Sequence, residues 1–272
     1  MNETLTLHPD GRTTLQLQRR LPHPPHKVWR AITTPEHLSA WFPADVTIDG
    51  DRITYGFGPD GRITENDPPR TFAHTWGDDE LRWHLQPDGQ ATLLTFTHTF
   101  TDRHGAASFA AGWHTCIKAM LAHLDGRPTR LPQTPDPATS ARLHEDYIAI
   151  LGLPATTLHT TADGRAGVRV ERQLTRPAQD VWQLLGGAAA RPGSPPPEAF
   201  TVPGLKAGPV TRAETAELLA YDTPEGGVRW EFTEGTGQGP RLIVTHTGDT
   251  AFFDAWRVRV EDLAASLVEQ GF

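Results

Sequence analysis

The first half of the chain returns, in a weakened form, in the second half. Leu15-Gln-Leu-Gln-Arg-Arg-Leu21 is followed 153 residues later by Val168-Arg-Val-Glu-Arg-Gln-Leu174. Further matches keep the same order, at offsets of 147, 148 and 143 residues: Arg82-Trp83 with Arg229-Trp230, His98 with His246, and Trp113 with Trp256. Two copies of one unit predict two similar domains, with a site in each of them or between them.

The overall composition fits two ordinary soluble domains without disulfide bonds. The chain has 272 residues, of which 37% are hydrophobic, and a net charge of −8. An acidic chain argues against nucleic acid and against an anionic membrane surface as partners. No apolar run approaches the roughly 20 residues of a membrane-spanning helix, so we expect no membrane insertion. The N-terminus has no signal-peptide pattern, and a single cysteine, Cys116, suits a reducing compartment. We therefore expect a cytoplasmic protein.

The residue pattern of the first unit predicts one strand, two short helices, a sheet and a long helix. Leu15 to Leu21 alternates as a half-buried strand, with Arg19 in the apolar phase. Short helices are predicted at 26–32 and at 34–42, where Thr34 is the N-cap and a proline follows. Four alternating runs predict strands with these inward residues: Ile53-Tyr55-Phe57, Phe72-His74-Trp76, Leu81-Trp83-Leu85 and Leu94-Phe96-His98-Phe100. A helix over 106–124 closes the unit.

The domain limits follow from composition and from the repeat. We predict a first domain over 1–126, a proline-rich linker with a short helix over 127–158, and a degenerate second domain over 159–272. The second unit has fewer or shorter strands and a final helix over 252–270. A Gly/Pro-rich stretch at 186–197 stands where the first unit has its second helix, and it does not favour a regular helix. One hypothesis is that the second cavity is more open and joins the first.

The order of elements and several motifs resemble the START and birch-pollen-allergen-like superfamily. The motifs are Val28-Trp29-Arg-Ala-Ile-Thr-Thr-Pro35-Glu, Leu38, Trp41-Phe42 and Gly112-Trp113. The branch that the chain resembles most comprises bacterial relatives of the heat-shock ATPase activator C-terminal domain. The resemblance covers 12–151 well and 165–272 more weakly. It implies an α+β fold of two tandem helix-grip domains, each a curved antiparallel sheet wrapped around a long C-terminal helix with an internal cavity.

The same resemblance implies a hydrophobic small-molecule ligand. Members of the superfamily bind lipids, sterols, hormones or polyketides. Some are polyketide aromatases or cyclases, some are self-resistance or accessory proteins of actinomycete antibiotic and enediyne pathways, and the activator branch stimulates a chaperone ATPase. Fold likeness alone does not choose among these functions.

The inward phase of the predicted strands supplies candidate ligand-binding residues. The polar candidates are Arg19, Tyr55, His74 and His98 in the first unit and Arg172, Tyr221 and His246 in the second. The aromatic candidates are Trp41, Trp76, Trp83, Phe96 and Trp113 in the first unit and Trp230 and Trp256 in the second. A few polar groups among aromatic side chains are typical of a small-molecule site. The alternative is structural: arginines paired with backbone or carboxylates, histidines bonded to nearby hydroxyls, and tryptophans packed in the core.

Catalytic and metal motifs are weak in this sequence. The spacing assigns no catalytic residue and leaves His74, His98 and Tyr55 as candidates for acid–base work. There is no His-Glu-x-x-His or Cys-x-x-Cys spacing, so we expect no metal and no other cofactor.

Together these features predict a protein that binds a polyketide, polyene or lipid-like molecule in a cavity within or between the two domains. We expect it to act without catalysis, in bacterial and specifically actinobacterial secondary metabolism, as a biosynthesis accessory or self-resistance protein. Two alternatives stay open: a polyketide cyclase or aromatase that uses the cavity His, Tyr and Arg residues, and a chaperone-ATPase-activator-like protein-interaction module. The sequence identifies neither a protein partner nor the oligomeric state.

Overall fold

The computed structural model describes residues 2–56, 58–129, 136–153, 156–160, 164–237 and 239–269. The chain divides into two compact units, unit 1 (Met1–Leu151) and unit 2 (Gly152–Phe272). The boundary falls within the segment 127–158 that the sequence assigns to a linker. Phe57 of a predicted strand, residues 130–135 and 154–155 of the predicted linker and residue 270 of the predicted last helix lie outside the described residues.

Unit 1 is built on an antiparallel sheet in the order β1-β2-β8-β7-β6-β5-β4-β3. Its strands are β1 (Asn2–Leu7), β2 (Thr13–Leu21), β3 (Thr47–Asp49), β4 (Arg52–Thr54), β5 (Gly61–Asp67), β6 (Thr71–Trp76), β7 (Asp79–Asp88) and β8 (Ala91–Phe100). Its helices are α1 (Pro25–Thr33), α2 (Pro35–Leu38), α3 (Ala106–Leu124) and α4 (Pro137–Leu151). The predicted alternation is visible in β2, where Leu15, Leu17 and Leu21 are fully buried and the residues between them are not.

The long helix α3 buries one stripe of side chains against the sheet. Trp113, Ile117, Met120 and Leu124 are all buried, as their spacing of three and four residues predicts. Helix α4 packs against α3 and β1, so it belongs to unit 1.

Besides the three-residue strand β3, two strands of unit 1 were not predicted from the hydrophobic pattern. Strand β1 is an edge strand whose side chains are mostly exposed. Strand β5 is polar on both faces apart from Gly61 and Ile63. Their positions come from backbone pairing with β2 and with β6, which an apolar period cannot reveal.

Unit 2 repeats this plan with six antiparallel strands in the order β11-β12-β13-β14-β10-β9. The strands are β9 (Thr156–Thr160), β10 (Ala166–Gln173), β11 (Val210–Glu214), β12 (Leu218–Thr223), β13 (Gly226–Thr233) and β14 (Arg241–Thr247), and the helices are α5 (Ala178–Leu184) and α6 (Phe253–Glu269). The order matches that of unit 1 without β3 and β4. The predicted α+β fold of two tandem helix-grip domains is therefore confirmed.

The strand register shows which positions of the two units are equivalent. Leu81 lies opposite His98 in unit 1, and Val228 lies opposite His246 in unit 2. The hairpin β6–β7 of unit 1 is equivalent to the hairpin β12–β13 of unit 2. Their registers give three further equivalent pairs: His74 with Tyr221, Trp76 with Thr223, and Asp79 with Gly226.

A turn that follows the Gly/Pro-rich stretch fills the centre of unit 2. The stretch contains a short 3₁₀ turn at Gly187–Ala189, and a second one follows at Glu198–Phe200. The Phe200 ring is fully buried, 5.4 Å from the ring of Trp182 and 5.1 Å from that of Trp230. Phe200 fills the centre of the unit, but a pocket of about 330 Å³ remains beside Trp182, lined by Gly187 and Arg191 of the stretch among others, so a more open second cavity stays a prediction.

No described helix combines the length and the apolar character that crossing a bilayer requires.

Candidate functional site

Unit 1 contains a pocket lined almost entirely by apolar and aromatic side chains, which we call the aromatic pocket. Its walls come from α1, α2 and the segment after α2, from the sheet and from α3. The lining residues are Ile32, Leu38, Trp41, Phe42, Val46, Ile53, Tyr55, Phe72, His74, Trp83 and Trp113. The cavity volume is about 20 Å³, which is room for roughly one water molecule. In this state the pocket is closed.

A cluster of rings forms the floor of the aromatic pocket. The Trp83 ring lies 6.0 Å from that of Trp41 and 5.7 Å from that of Trp113, both in edge-on geometry. Phe96 packs beneath them, 4.4 Å from each of Trp83 and Trp113. Edge-on and tilted contacts of this kind are favourable between aromatic rings, so the floor is a rigid surface.

Phe42 covers the pocket from the segment that follows α2. Its ring lies 6.1 Å from the ring of Tyr55 and 6.2 Å from that of Trp113. Phe42 is partly exposed, whereas its neighbour Trp41 is buried and donates its indole N–H to the carbonyl of Ala31 at 2.8 Å. The Phe42 side chain can therefore rotate out of the pocket while the backbone N–H of Phe42 stays bonded to the carbonyl of Leu38 at 2.8 Å.

Tyr55 and His74 form a polar pair in the aromatic pocket. The Tyr55 hydroxyl lies 2.6 Å from Nδ1 of His74. Burial lowers the pKa of His74 to about 4 and raises the pKa of Tyr55, so both groups are neutral at neutral pH. When the hydroxyl donates to Nδ1, the ring proton of His74 is on Nε2. The pair then offers one N–H donor and the acceptor lone pairs of the phenol oxygen.

The burial of His74 predicts how the stability of unit 1 depends on pH. The pKa of His74 is about 4 in the folded protein and 6.5 in the unfolded chain. Between these values the unfolded chain binds a proton that the folded protein does not, so unit 1 loses stability as the pH falls through this window. Urea unfolding at a series of pH values should show that the free energy of unfolding falls less steeply with falling pH in His74→Phe than in the unaltered protein. An unchanged slope would contradict the assignment.

His98 lies outside the pocket lining, and both of its ring nitrogens have partners. Trp113 donates its indole N–H to Nδ1 at 3.1 Å, which places the ring proton on Nε2, 2.9 Å from the Asp79 carboxylate. Unit 2 repeats half of this arrangement, since Trp256 donates to Nδ1 of His246 at 3.1 Å. The matching histidines of the repeat thus each accept an equivalent hydrogen bond from a tryptophan of the long helix.

The two arginines of the apolar phase pair with carboxylates. Arg19 lies 2.6 Å from Glu3 and donates to the hydroxyl of Tyr147 on α4 at 3.2 Å. Arg172 lies 3.3 Å from Glu261 on α6. Neither arginine lines the aromatic pocket.

The structure thus brings together a subset of the predicted residues. Five of them line the aromatic pocket: Trp41, Tyr55, His74, Trp83 and Trp113. Trp76 borders it, with its ring 5.4 Å from that of Tyr55. In unit 2, Tyr221 and Trp230 donate to the backbone carbonyl of Phe200 at 2.8 and 3.1 Å, within a filled core.

Sequence reasoning missed several residues of this site. Phe42 and Val46 line the pocket from the segment between α2 and β3, and Ile53, predicted as an inward residue but not as a site residue, lines it from β4. Asp79 was missed as the partner of His98, although it lies two residues before Leu81 and so in the same strand phase. Glu3 lies in the edge strand that the pattern did not predict.

Other reactive groups offer no separate centre. Burial raises the pKa of the Cys116 thiol to about 12, so it stays protonated and is a poor nucleophile. Within the described ranges, no three His, Cys, Asp or Glu side chains are grouped so that they could hold a metal ion.

Known proteins resemble parts of this chain or nearly all of it. Residues 22–125 match the family model described as Activator of Hsp90 ATPase homolog 1-like protein. CalU16 from Micromonospora echinospora is 20% identical, over 55% of this chain and 95% of that one, with a TM-score of 0.45. EF2215 from Enterococcus faecalis is 18% identical, over 54% and 88%, with a TM-score of 0.45. DynU16, a protein of the dynemicin biosynthetic locus, is 16% identical, over 94% and 95%, with a TM-score of 0.43. No curated protein sequence matches the chain.

The family match begins at the end of β2 and ends just after α3, so it spans α1 and α2, the rest of the sheet and the helix that it wraps. Residues 22–125 of unit 1 thus match the Activator of Hsp90 ATPase homolog 1-like family model, in agreement with the predicted resemblance to the START and birch-pollen-allergen-like superfamily.

Proposed function

We propose that this protein binds a flat, largely hydrophobic small molecule in the aromatic pocket of unit 1, without transforming it. The observation that carries the proposal is the Tyr55–His74 pair, 2.6 Å apart, in a pocket otherwise lined by apolar and aromatic side chains. Ligand sites are typically apolar surfaces with a few polar groups that orient the ligand. The nine other lining side chains supply the apolar surface.

Ligand entry requires the closed pocket to open. A cavity of about 20 Å³ cannot hold a ring system, and the floor of packed tryptophans is rigid. The cover is the part that can move, because Phe42 is partly exposed and α2 is only four residues long. Displacing Phe42 would expose the faces of Tyr55 and Trp113 that it now touches. A planar ligand could then stack where the Phe42 ring lies.

The polar pair favours a ligand that carries a carbonyl or hydroxyl oxygen. When the Tyr55 hydroxyl donates to Nδ1, Nε2–H of neutral His74 can donate to such an oxygen, and the Tyr55 oxygen can accept from a hydroxyl. Polyketide, polyene and oxygenated lipid-like molecules combine these groups with extended apolar surfaces. We place the ligand in this group and the protein in bacterial secondary metabolism, as an accessory or self-resistance protein.

Replacing the Tyr55 hydroxyl should weaken binding without altering the shape of the pocket. In Tyr55→Phe we expect affinity for a hydroxylated anthraquinone to fall about fivefold, because one hydrogen bond contributes about 1 kcal/mol. Quenching of tryptophan fluorescence on titration measures the affinity. The matched control is Tyr221→Phe, whose hydroxyl donates to Phe200 within the core of unit 2, and it should leave the affinity unchanged.

Other outcomes of the same titration would revise the proposal. Equal affinities for the two variants would place the ligand outside the aromatic pocket. Absence of binding by anthraquinones, polyene aldehydes and fatty acids alike would favour the protein-interaction alternative. Conversion of a probe, detected by mass spectrometry, would favour a cyclase or aromatase that uses His74 and Tyr55.

A further inference from the structure

Unit 2 contains an open pocket of about 260 Å³ at the end of its sheet, which we call the His246 pocket. His246, only 1% exposed, lies among its lining residues, together with Thr223 from the end of β12. Leu205 and Phe252 add apolar surface. Its volume is more than ten times that of the aromatic pocket of unit 1.

Two substitutions between the repeats distinguish this pocket from the equivalent place in unit 1. Thr223 stands where unit 1 has Trp76, so an indole is replaced by a much smaller side chain. Gly226 stands where unit 1 has Asp79, the carboxylate that pairs with His98. A Cβ at Gly226 would lie 2.1 Å from the carbonyl oxygen of Thr247, so the backbone leaves no room for a side chain there. Unit 2 therefore has free space next to His246, and it lacks the carboxylate that pairs with the equivalent histidine of unit 1.

The pocket contains two buried polar atoms without a partner. Among the described residues, neither Nε2 of His246 nor Oγ1 of Thr223 has a hydrogen-bond partner. Because Trp256 donates to Nδ1 of His246, the ring proton is on Nε2, and burial lowers the pKa of His246 so that the ring stays neutral. An unpaired buried polar group costs about 1–3 kcal/mol. Both atoms have almost no exposed surface, so they lie just beneath the wall of the pocket, and a ligand oxygen reaches them when the side chains that cover them shift.

We propose that the His246 pocket binds a compact, uncharged organic molecule whose carbonyl oxygen accepts hydrogen bonds from His246 Nε2–H and Thr223 Oγ1–H. The rest of the molecule packs against Leu205 and Phe252. This site is separate from the aromatic pocket and does not depend on the function proposed there.

The charges around the pocket favour an uncharged ligand over an anion. Glu225 and Asp249 contribute two negative charges, and Lys206 contributes one positive charge. A carboxylate would meet a net negative surface at the entrance and a neutral imidazole inside, whereas a ketone or lactam carbonyl needs only the two donors.

The test uses the full chain with isotope-labelled histidine and NMR detection of the His246 ring. Cyclohexanone is the probe, benzene is the control without an acceptor, and cyclohexanecarboxylate is the anionic control. We expect saturable shifts of the His246 Nε2 resonance with cyclohexanone, and binding at least tenfold weaker for both controls. No shift with cyclohexanone, or equal affinity for benzene, would overturn the proposal.

Variants of Thr223 test the same site from the protein side. Thr223→Val removes the hydroxyl at constant volume and should weaken cyclohexanone binding about fivefold, leaving benzene unaffected. Thr223→Trp restores the residue of unit 1 and should abolish binding. The matched control is Thr175→Val, because Thr175 is another buried threonine of unit 2 whose Oγ1 has no partner among the described residues and which does not line this pocket. Unchanged binding in both Thr223 variants would overturn the proposal. Tyr55→Phe should leave cyclohexanone binding unchanged, which separates this test from that of the aromatic pocket.

Discussion

Phe200→Ala will lower the free energy of unfolding of unit 2 by about 4 kcal/mol, since truncating a fully buried phenylalanine typically costs 3–5 kcal/mol. The ring is completely buried between Trp182 and Trp230, and the turn that carries it accepts hydrogen bonds from Tyr221 and Trp230. Amide hydrogen exchange of peptides from β12 and β13, with urea unfolding, will measure the loss in this unit alone.

The control for this prediction is Phe200→Leu, which keeps most of the buried volume. We expect it to cost less than about 1.5 kcal/mol. Hydrogen exchange in β6 and β7 of unit 1 should not change in either variant. If Phe200→Ala cost less than Phe200→Leu, the turn would not be filling the core, and the central cavity of unit 2 would have to be open in solution.

Glu3→Ala will destabilise unit 1 by about 3 kcal/mol, because removing one partner of a buried ion pair leaves a desolvated charge. The side chains of Arg19 and Glu3 are 12% and 6% exposed, and their charged atoms lie 2.6 Å apart. The guanidinium keeps only neutral partners, the Tyr147 hydroxyl and the carbonyl of Gln18. Urea unfolding with hydrogen exchange of β1 and β2 peptides will report the change.

Two further measurements distinguish an unpaired buried charge on Arg19 from a general effect of removing a charge: a double variant of the buried pair, and a single variant of an exposed pair. Glu3→Met with Arg19→Met should recover most of the lost stability, since replacing both partners by apolar groups is often neutral. Glu65→Ala removes a partner of Arg82 from a pair that is 39% and 47% exposed. It should cost less than about 1 kcal/mol. Equal losses for Glu3→Ala and Glu65→Ala would show that water reaches Arg19.

The two units therefore use one fold in different ways. Unit 1 surrounds a closed aromatic pocket with an internal Tyr55–His74 pair. Unit 2 fills the equivalent centre with Phe200 and leaves its open space at the sheet end, next to His246. In both, the histidine of β8 or β14 accepts a hydrogen bond from a tryptophan of the long helix. What differs is the first residue after the hairpin turn: Asp79 in unit 1 pairs with the histidine, and Gly226 in unit 2 has no side chain that could do so.

Local patterns were sufficient to predict most of the elements and their order. The alternation in β2 and β8, the three- and four-residue spacing in α3 and the proline start of α2 each depend on residues a few positions apart. The repeat extended those predictions to unit 2, where α6 and β14 match α3 and β8. The edge strands β1 and β9 and the polar strand β5 escaped, because pairing with a neighbouring strand determines them rather than their own apolar period.

The amino-acid sequence by itself determined the duplicated helix-grip fold and the set of inward aromatic and polar positions. The tertiary structure alone decided which of those positions meet. It placed Arg19 with Glu3 and with Tyr147, 128 residues away, and it placed His98 between Asp79 and Trp113 instead of in the pocket. It also placed Phe200, which follows the Gly/Pro-rich stretch, in the core of unit 2. The physical reason is that periodicity reports which face of an element is buried, whereas the partner of a buried polar group and the filling of a cavity depend on chain segments far apart in sequence.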